Sequence, residues 1–330
     1  MIRPDLIDLF IEALYKRIDK KSDLVNFLAD SLNIEKESAY RRLNKKVYFS
    51  VSEIGLLASK LGISIDTILK YQEGYISPPV YRLHLPKSAS SIDGLADWMA
   101  ADIELLKSIP EEQIEYAQTF IGLPIEFVIP YNSLLKFLYF KWGYYYVGSN
   151  IYKNFSLWEI PTSLVTAGNT IMEILKKWES KTYLWDMSAI WCLTKDISYF
   201  YSIHALSLQD VESIKLDIHN MLYDLEKISE GISTNYFNAD KTQIYISTIV
   251  LGTHLTYISS KSKKYSCFYT YFISSNYSDD YQTYILFRDW INAMKKVCTL
   301  ISNSGAKERR LFFDEQHQIV EHFLSTPFFT

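Results

Sequence analysis

The chain has 330 residues, is 48% hydrophobic and 22% charged, and carries a formal net charge of −4 at pH 7. That apolar fraction supplies a packed core and excludes wholesale disorder, while the length points to two or three domains. No apolar run approaches the roughly 18 residues of a membrane span and no signal peptide is visible, so a cytoplasmic protein with no membrane partner is expected.

Charge is unevenly spread. Residues 1–75 hold 12 basic and 11 acidic groups, net +1, whereas the remainder holds 22 and 27, net −5. Such asymmetry fits a nucleic-acid-binding head joined to a body that does not bind nucleic acid.

In chain order, Pro4 to Lys20 reads as a first helix, with proline tolerated in its opening turn and a wide apolar stripe from Leu6, Phe10 and Leu14. Lys16, Arg17, Lys20 and Lys21 cluster at its end, where they suit the helix dipole or reach a phosphate backbone. Ser22 is an expected N-cap for a second helix carrying Leu24, Phe27, Leu28 and Leu32. Asn33, which tolerates the left-handed conformation, ends it. A third helix spans roughly Glu35 to Lys45, with Ala39 and Leu43 facing inward. Glu37, Tyr40, Arg41 and Asn44, at spacings of three, four and seven, share the outward face. Ser50 or Ser52 caps a fourth helix bearing Ile54, Leu57, Ala58 and Leu61, and Gly62 closes it. Ser64 opens a fifth, with Ile65, Ile68 and Leu69.

The order of helix, three-residue turn, helix, loop and capped pair, together with the phrase from Leu56 to Leu69, resembles the helix-turn-helix domain of the λ-repressor/Cro (Xre-like) transcriptional regulators. The match covers about a fifth of the chain, with Asn33 in place of the usual turn glycine. It departs from the family where Asn44-Lys45-Lys46 follows the recognition helix, so no base preference carries over. The resemblance implies a recognition helix in the major groove of double-stranded DNA and a homodimer reading a two-fold-related site. On that reading Arg41 pairs with guanine. Asn44 meets adenine or merely caps the helix end, and Tyr40 contacts a thymine methyl or a phosphate, or is half-buried against the loop. Lys36 and Ser38 lie at the helix start, where phosphate contacts are usual, and Arg42, Lys45 and Lys46 neutralise phosphates. From Lys36 to Tyr48 there are five basic residues against one acid, Glu37, so the local field attracts DNA although the whole chain is acidic. The candidate interface is therefore Lys36, Glu37, Ser38, Tyr40, Arg41, Arg42, Asn44, Lys45 and Lys46. The alternative is an interaction adaptor that uses the same fold without DNA.

Residues 1–72 are thus expected to form the DNA-binding domain and 73–91 a linker stiffened by Pro78, Pro79 and Pro86. Residues 92–330 form a mixed body. Helices are expected at Ile92 to Ser108, Pro130 to Trp142, Pro161 to Trp178, Leu193 to Leu206, Leu208 to Ser229, Asp279 to Ile301 and Lys307 to Leu324. Tyr183 to Ile190 reads as a strand. Gln243 to Leu251, His254 to Ser259 and Lys264 to Ser274 read as a small antiparallel meander, with turns at Gly252-Thr253 and Ser260 to Lys263. The fold class is α+β and mostly helical: a five-helix head and a larger helical body with a small antiparallel sheet. The body resembles the effector or dimerisation domain of a bacterial regulator, without ligand residues that can be carried over.

The body is rich in rings. Phe120 to Trp158 holds thirteen aromatics and Tyr265 to Phe287 nine. They build either an aromatic core or a pocket or interface for a small-molecule or protein effector. No catalytic motif is present: there is no GxGxxG, Walker loop, GxSxG or CxxC. His317 and His322 are five apart, on different helix faces, and Cys192, Cys267 and Cys298 are widely separated and read as reduced thiols. No enzyme activity, metal or cofactor is expected.

Overall fold

A computed structural model describes residues 5–65, 68, 82–84, 92–270 and 274–325. The chain divides into two compact units, Met1–Pro78 and Pro79–Thr330.

In the first unit four helices are described: α1 Leu6–Arg17, α2 Lys21–Leu32, α3 Lys36–Leu43 and α4 Val51–Leu61. The helical spacing of apolar residues sends Phe10, Leu14, Leu24, Leu28, Ala39 and Leu57 into one buried core, where Phe10 and Phe49 meet edge to face at 5.7 Å. Asn33 ends α2 in the left-handed conformation (φ 52, ψ 52), and Gly62 does the same for α4 (φ 60, ψ 37). Ser50 starts α4 with a complete capping box: its hydroxyl accepts from the Glu53 amide while Glu53 accepts from the Ser50 amide. Ser22 does not cap α2. The helix begins two residues earlier, with Lys20 as its N-cap, because the Lys20 carbonyl accepts from the amides of Asp23 and Leu24, which leaves the Ser22 hydroxyl to donate to the Asp23 carboxylate. Of the expected fifth helix only Ser64, Ile65 and Ile68 fall among the described residues.

The second unit is mostly helical with a mixed sheet. Its helices are α5 Ile92–Lys107, α6 Ile125–Val128, α7 Asn132–Tyr146, α8 Thr162–Lys177, α9 Ala189–Ser202, α10 Leu208–Ser229, α11 Tyr281–Lys295 and α12 Ala306–Phe323. Its strands are β1 Arg82–His84, β2 Glu115–Phe120, β3 Ser180–Asp186, β4 Thr242–Ser247, β5 His254–Ser259, β6 Lys264–Thr270, β7 Ser274–Ser278 and β8 Thr299–Leu300. They form one eight-stranded sheet in the order β1-β7-β6-β5-β2-β3-β4-β8.

This corrects the small antiparallel meander. The centre of the sheet is parallel: β2 pairs with β3 (Ala117↔Thr182) and β3 with β4 (Tyr183↔Ile244), each joined by helical crossovers. Gly252 is not a hairpin turn, because β4 and β5 lie on opposite sides of the β2–β3 pair. The β5–β6 hairpin is real, closed by the Ser260 amide donating to the Lys263 carbonyl. The expected strand Lys264 to Ser274 is β6 over Lys264–Thr270, and Ser274–Ser278 is a separate strand. Three residues of the expected linker, Arg82–His84, pair with β7 as an edge strand, and the rest of it lies outside the described residues.

Alternation along β2 and β3 sorts side chains to two faces. Tyr116, Phe120, Tyr183 and Trp185 join the large core under the helical layers, whereas Ala117 and Leu184 pack with Tyr257, Tyr284 and Ile291 beneath α11. Among the described residues, no helix is long and apolar enough to cross a membrane.

Candidate nucleic-acid interface

The expected recognition helix is shorter than its sequence limits. Glu35 is the extended residue before α3, Asn44 caps its end, and Lys45 takes a left-handed turn at φ 59. Ala39 and Leu43 are buried against the core, and this orients the opposite face outward. Lys36, Glu37, Tyr40, Arg41, Asn44, Lys45 and Lys46 are exposed, while Ser38 is half-buried.

The candidate residues separate by their partners. Arg41 has no hydrogen-bond or ion-pair partner among the described residues, so its guanidinium is unengaged at the surface. Arg42, three residues N-terminal to Lys45, faces the other way. It donates to the Glu53 carboxylate at 2.8 Å and lies across the Ser38 carbonyl at 3.4 Å, with 16% of its side chain exposed. Burial pushes the Glu53 carboxyl up, but the Ser50 amide and the Arg42 guanidinium outweigh it and hold the carboxyl below its usual range. Arg42 therefore ties α3 to the start of α4, so among the expected phosphate-binding residues it is one already engaged by a carboxylate of the neighbouring helix.

Asn44 donates through Nδ2 to the Tyr40 carbonyl at 2.9 Å, which satisfies a C-terminal backbone acceptor. Its hydrogen bonding with Tyr40 and the nearby Lys21 ammonium hold the Tyr40 hydroxyl below its ordinary range, and Lys21 Nζ sits 4.5 Å from the centre of the Tyr40 ring. Tyr40 remains 49% exposed and does not pack into the loop. Lys45 is ion-paired with Asp8 of α1, so it too has a partner within the unit. Arg17, from the basic cluster of α1, donates to the Gly62 carbonyl at 3.1 Å, and Lys16 pairs with Glu12 at 2.8 Å.

Lys36, Tyr40, Arg41 and Lys46 thus form the outward set, with Lys21 brought beside them from the start of α2. The sequence could not show that Asp8 and Glu53 would occupy Lys45 and Arg42, because both pairings cross between helices. Among the described residues, no group of three or more His, Cys, Asp or Glu side chains could hold a metal. No protein-family model matches the chain, and no curated protein or solved structure matches it.

Proposed function

We propose that the chain is a sequence-specific transcriptional regulator whose α3 enters the major groove of double-stranded DNA. The observation that carries this reading is the exposed polar face of α3, with an unengaged Arg41 at its centre and Lys36 and Lys46 flanking it. A guanidinium free of internal partners can pair bidentately with guanine, and flanking ammonium groups neutralise phosphates. A small helical head covers few base pairs, so the reading includes a homodimer on a two-fold-related operator.

The test is selection of randomised duplex DNA by the full-length protein at physiological salt. Enrichment of a symmetric motif is expected. Absence of any motif from a folded protein would overturn the reading and favour the interaction adaptor. With the motif in hand, Arg41→Ala should cost roughly 1–3 kcal/mol and relax preference at one base pair. Lys46→Ala should weaken all sequences alike and reduce the salt slope by about one.

A further inference from the structure

The second unit holds a cavity of about 250 Å³ between α5, α7, α8, α9 and the sheet face that carries β2, β5 and β6. Met99 and Leu106 stand seven residues apart on α5, and Ile171 and Leu175 four apart on α8, so each helix turns one aliphatic stripe to the space. Phe120 from β2 and Leu193 from α9 extend the apolar wall.

The polar groups at the wall are engaged within the protein. Gln118, 2% exposed, donates through Nε2 to Glu126 Oε1 at 2.9 Å, and its Oε1 accepts from the Thr256 hydroxyl at 3.0 Å. Glu126 also accepts from the Tyr116 hydroxyl at 3.4 Å and has the Lys181 ammonium as a nearby counter-charge. Lys141 donates to Asp196 at 2.6 Å, and Asp102 interacts within the protein as well. The Tyr139 hydroxyl meets the Met99 sulfur at 3.5 Å. Burial holds the His254 imidazole neutral by pushing its pKa down to about 3, and it pushes the Cys267 thiol up.

These pairings decide which ligand suits the space. A charged molecule would have to draw a wall group from its partner or lie uncompensated in a desolvated site, and either is costly. An uncharged apolar molecule requires neither, and it gains by leaving water for the aliphatic wall. An apolar cavity of roughly 150 Å³ accepts benzene. In proportion, one of about 250 Å³ fits a molecule of about ten carbon atoms.

We propose that this cavity binds a small uncharged apolar molecule of that size, with an aliphatic or aromatic body. Met99, unbranched and polarisable, lets the wall adjust to its outline. The assignment stands apart from the DNA-binding reading, because every group involved belongs to the second unit.

The test is calorimetric titration of the full-length protein with propylbenzene, phenethylamine and phenylacetate, which are similar in size and respectively neutral, cationic and anionic. Propylbenzene should bind about tenfold tighter than either ion. Methyl NMR of the methionines locates it: the Met99 resonance should shift on adding propylbenzene, and that of Met221, buried but not part of the cavity wall, should not. Leu106→Trp, which fills part of the space from a half-buried position, should lower propylbenzene affinity about tenfold. Equal or tighter binding of either ion would overturn the proposal. So would no binding of propylbenzene at its solubility limit, an unshifted Met99 resonance, or unchanged affinity in a folded Leu106→Trp. The ligand comparison and the NMR use the unaltered protein, so they decide even where the variant fails to fold.

Discussion

The two units are built by different means. The first is held largely by short-range devices, a left-handed asparagine, a capping box and a terminal glycine, with the Arg42–Glu53 and Lys45–Asp8 ion pairs crossing between helices around a small core. The second is held by a sheet whose central strands are far apart in sequence, with β2, β3 and β4 beginning at residues 115, 180 and 242. Local devices leave a surface free for contact with a large partner, whereas non-local pairing creates enclosed space. The exposed polar face of α3 lies on the first unit, and a cavity of about 250 Å³ lies within the second.

Substitutions can break or sharpen that contrast. The largest effect belongs to the body. Trp185 on β3 is 1% exposed and packs against Phe127 and Phe312, so Trp185→Ala should cost about 3–5 kcal/mol in denaturant unfolding. Its indole nitrogen is buried without a hydrogen-bond partner among the described residues, so Trp185→Phe should recover much of that loss. In the head, Arg42→Ala leaves Glu53 without its guanidinium and should cost about 2 kcal/mol, discounted for partial exposure. Arg41→Ala should leave the melting temperature unchanged. Equal destabilisation by the two would show that Arg41 is also structural.

A third effect is pH-dependent and belongs to the cavity. Burial raises the Glu126 carboxyl from 4.5 to about 6, so the folded state holds this proton more tightly than the unfolded chain. Its stabilising contribution is present below pH 4.5 and is lost as pH rises through 6. The loss amounts to about 2 kcal/mol, and Glu126→Gln should flatten that part of the stability profile. His254 acts in the opposite sense. With its pKa depressed from 6.5 to about 3, its contribution is present above pH 6.5 and lost as pH falls, a slope that His254→Asn should remove. The smallest effect is local: Ser50→Ala should cost about 1 kcal/mol through the lost cap of α4.

Much of the head was legible from its residues. Asn33, Ser50 and Gly62 act on their own backbone, so their roles appear in a short window of sequence. The His254–Ser259 strand and the Leu208–Ser229 helix were equally readable, since alternation and helical spacing are local patterns. Strand β2 was not. Five of the six residues in Glu115–Phe120 are buried, a stretch covered on both faces whose mixture of Tyr, Ala, Gln and Thr carries neither clean alternation nor an apolar run. The thirteen-ring stretch from Phe120 to Trp158 was ambiguous for a related reason. Rings report that a residue is buried, not whether they close on each other or leave room between them. The structure shows both: Phe140 meets Tyr152, Phe155 and Phe200 in packed contacts, while Phe120 and Tyr139 line a cavity.

By itself, then, the sequence determined where α2 and α4 end, where α4 begins, which faces of these helices turn inward and which helix presents a basic outward surface, because each depends on neighbours within a few residues. Only the tertiary structure decided that Arg42 and Lys45 are engaged by Glu53 and Asp8 while Arg41 is not. It alone joined Gln118, Glu126 and His254 across β2, α6 and β5 into one polar wall. Pairing between distant segments depends on how strands are ordered in the sheet and helices are packed upon it, and no local pattern of residues encodes that order.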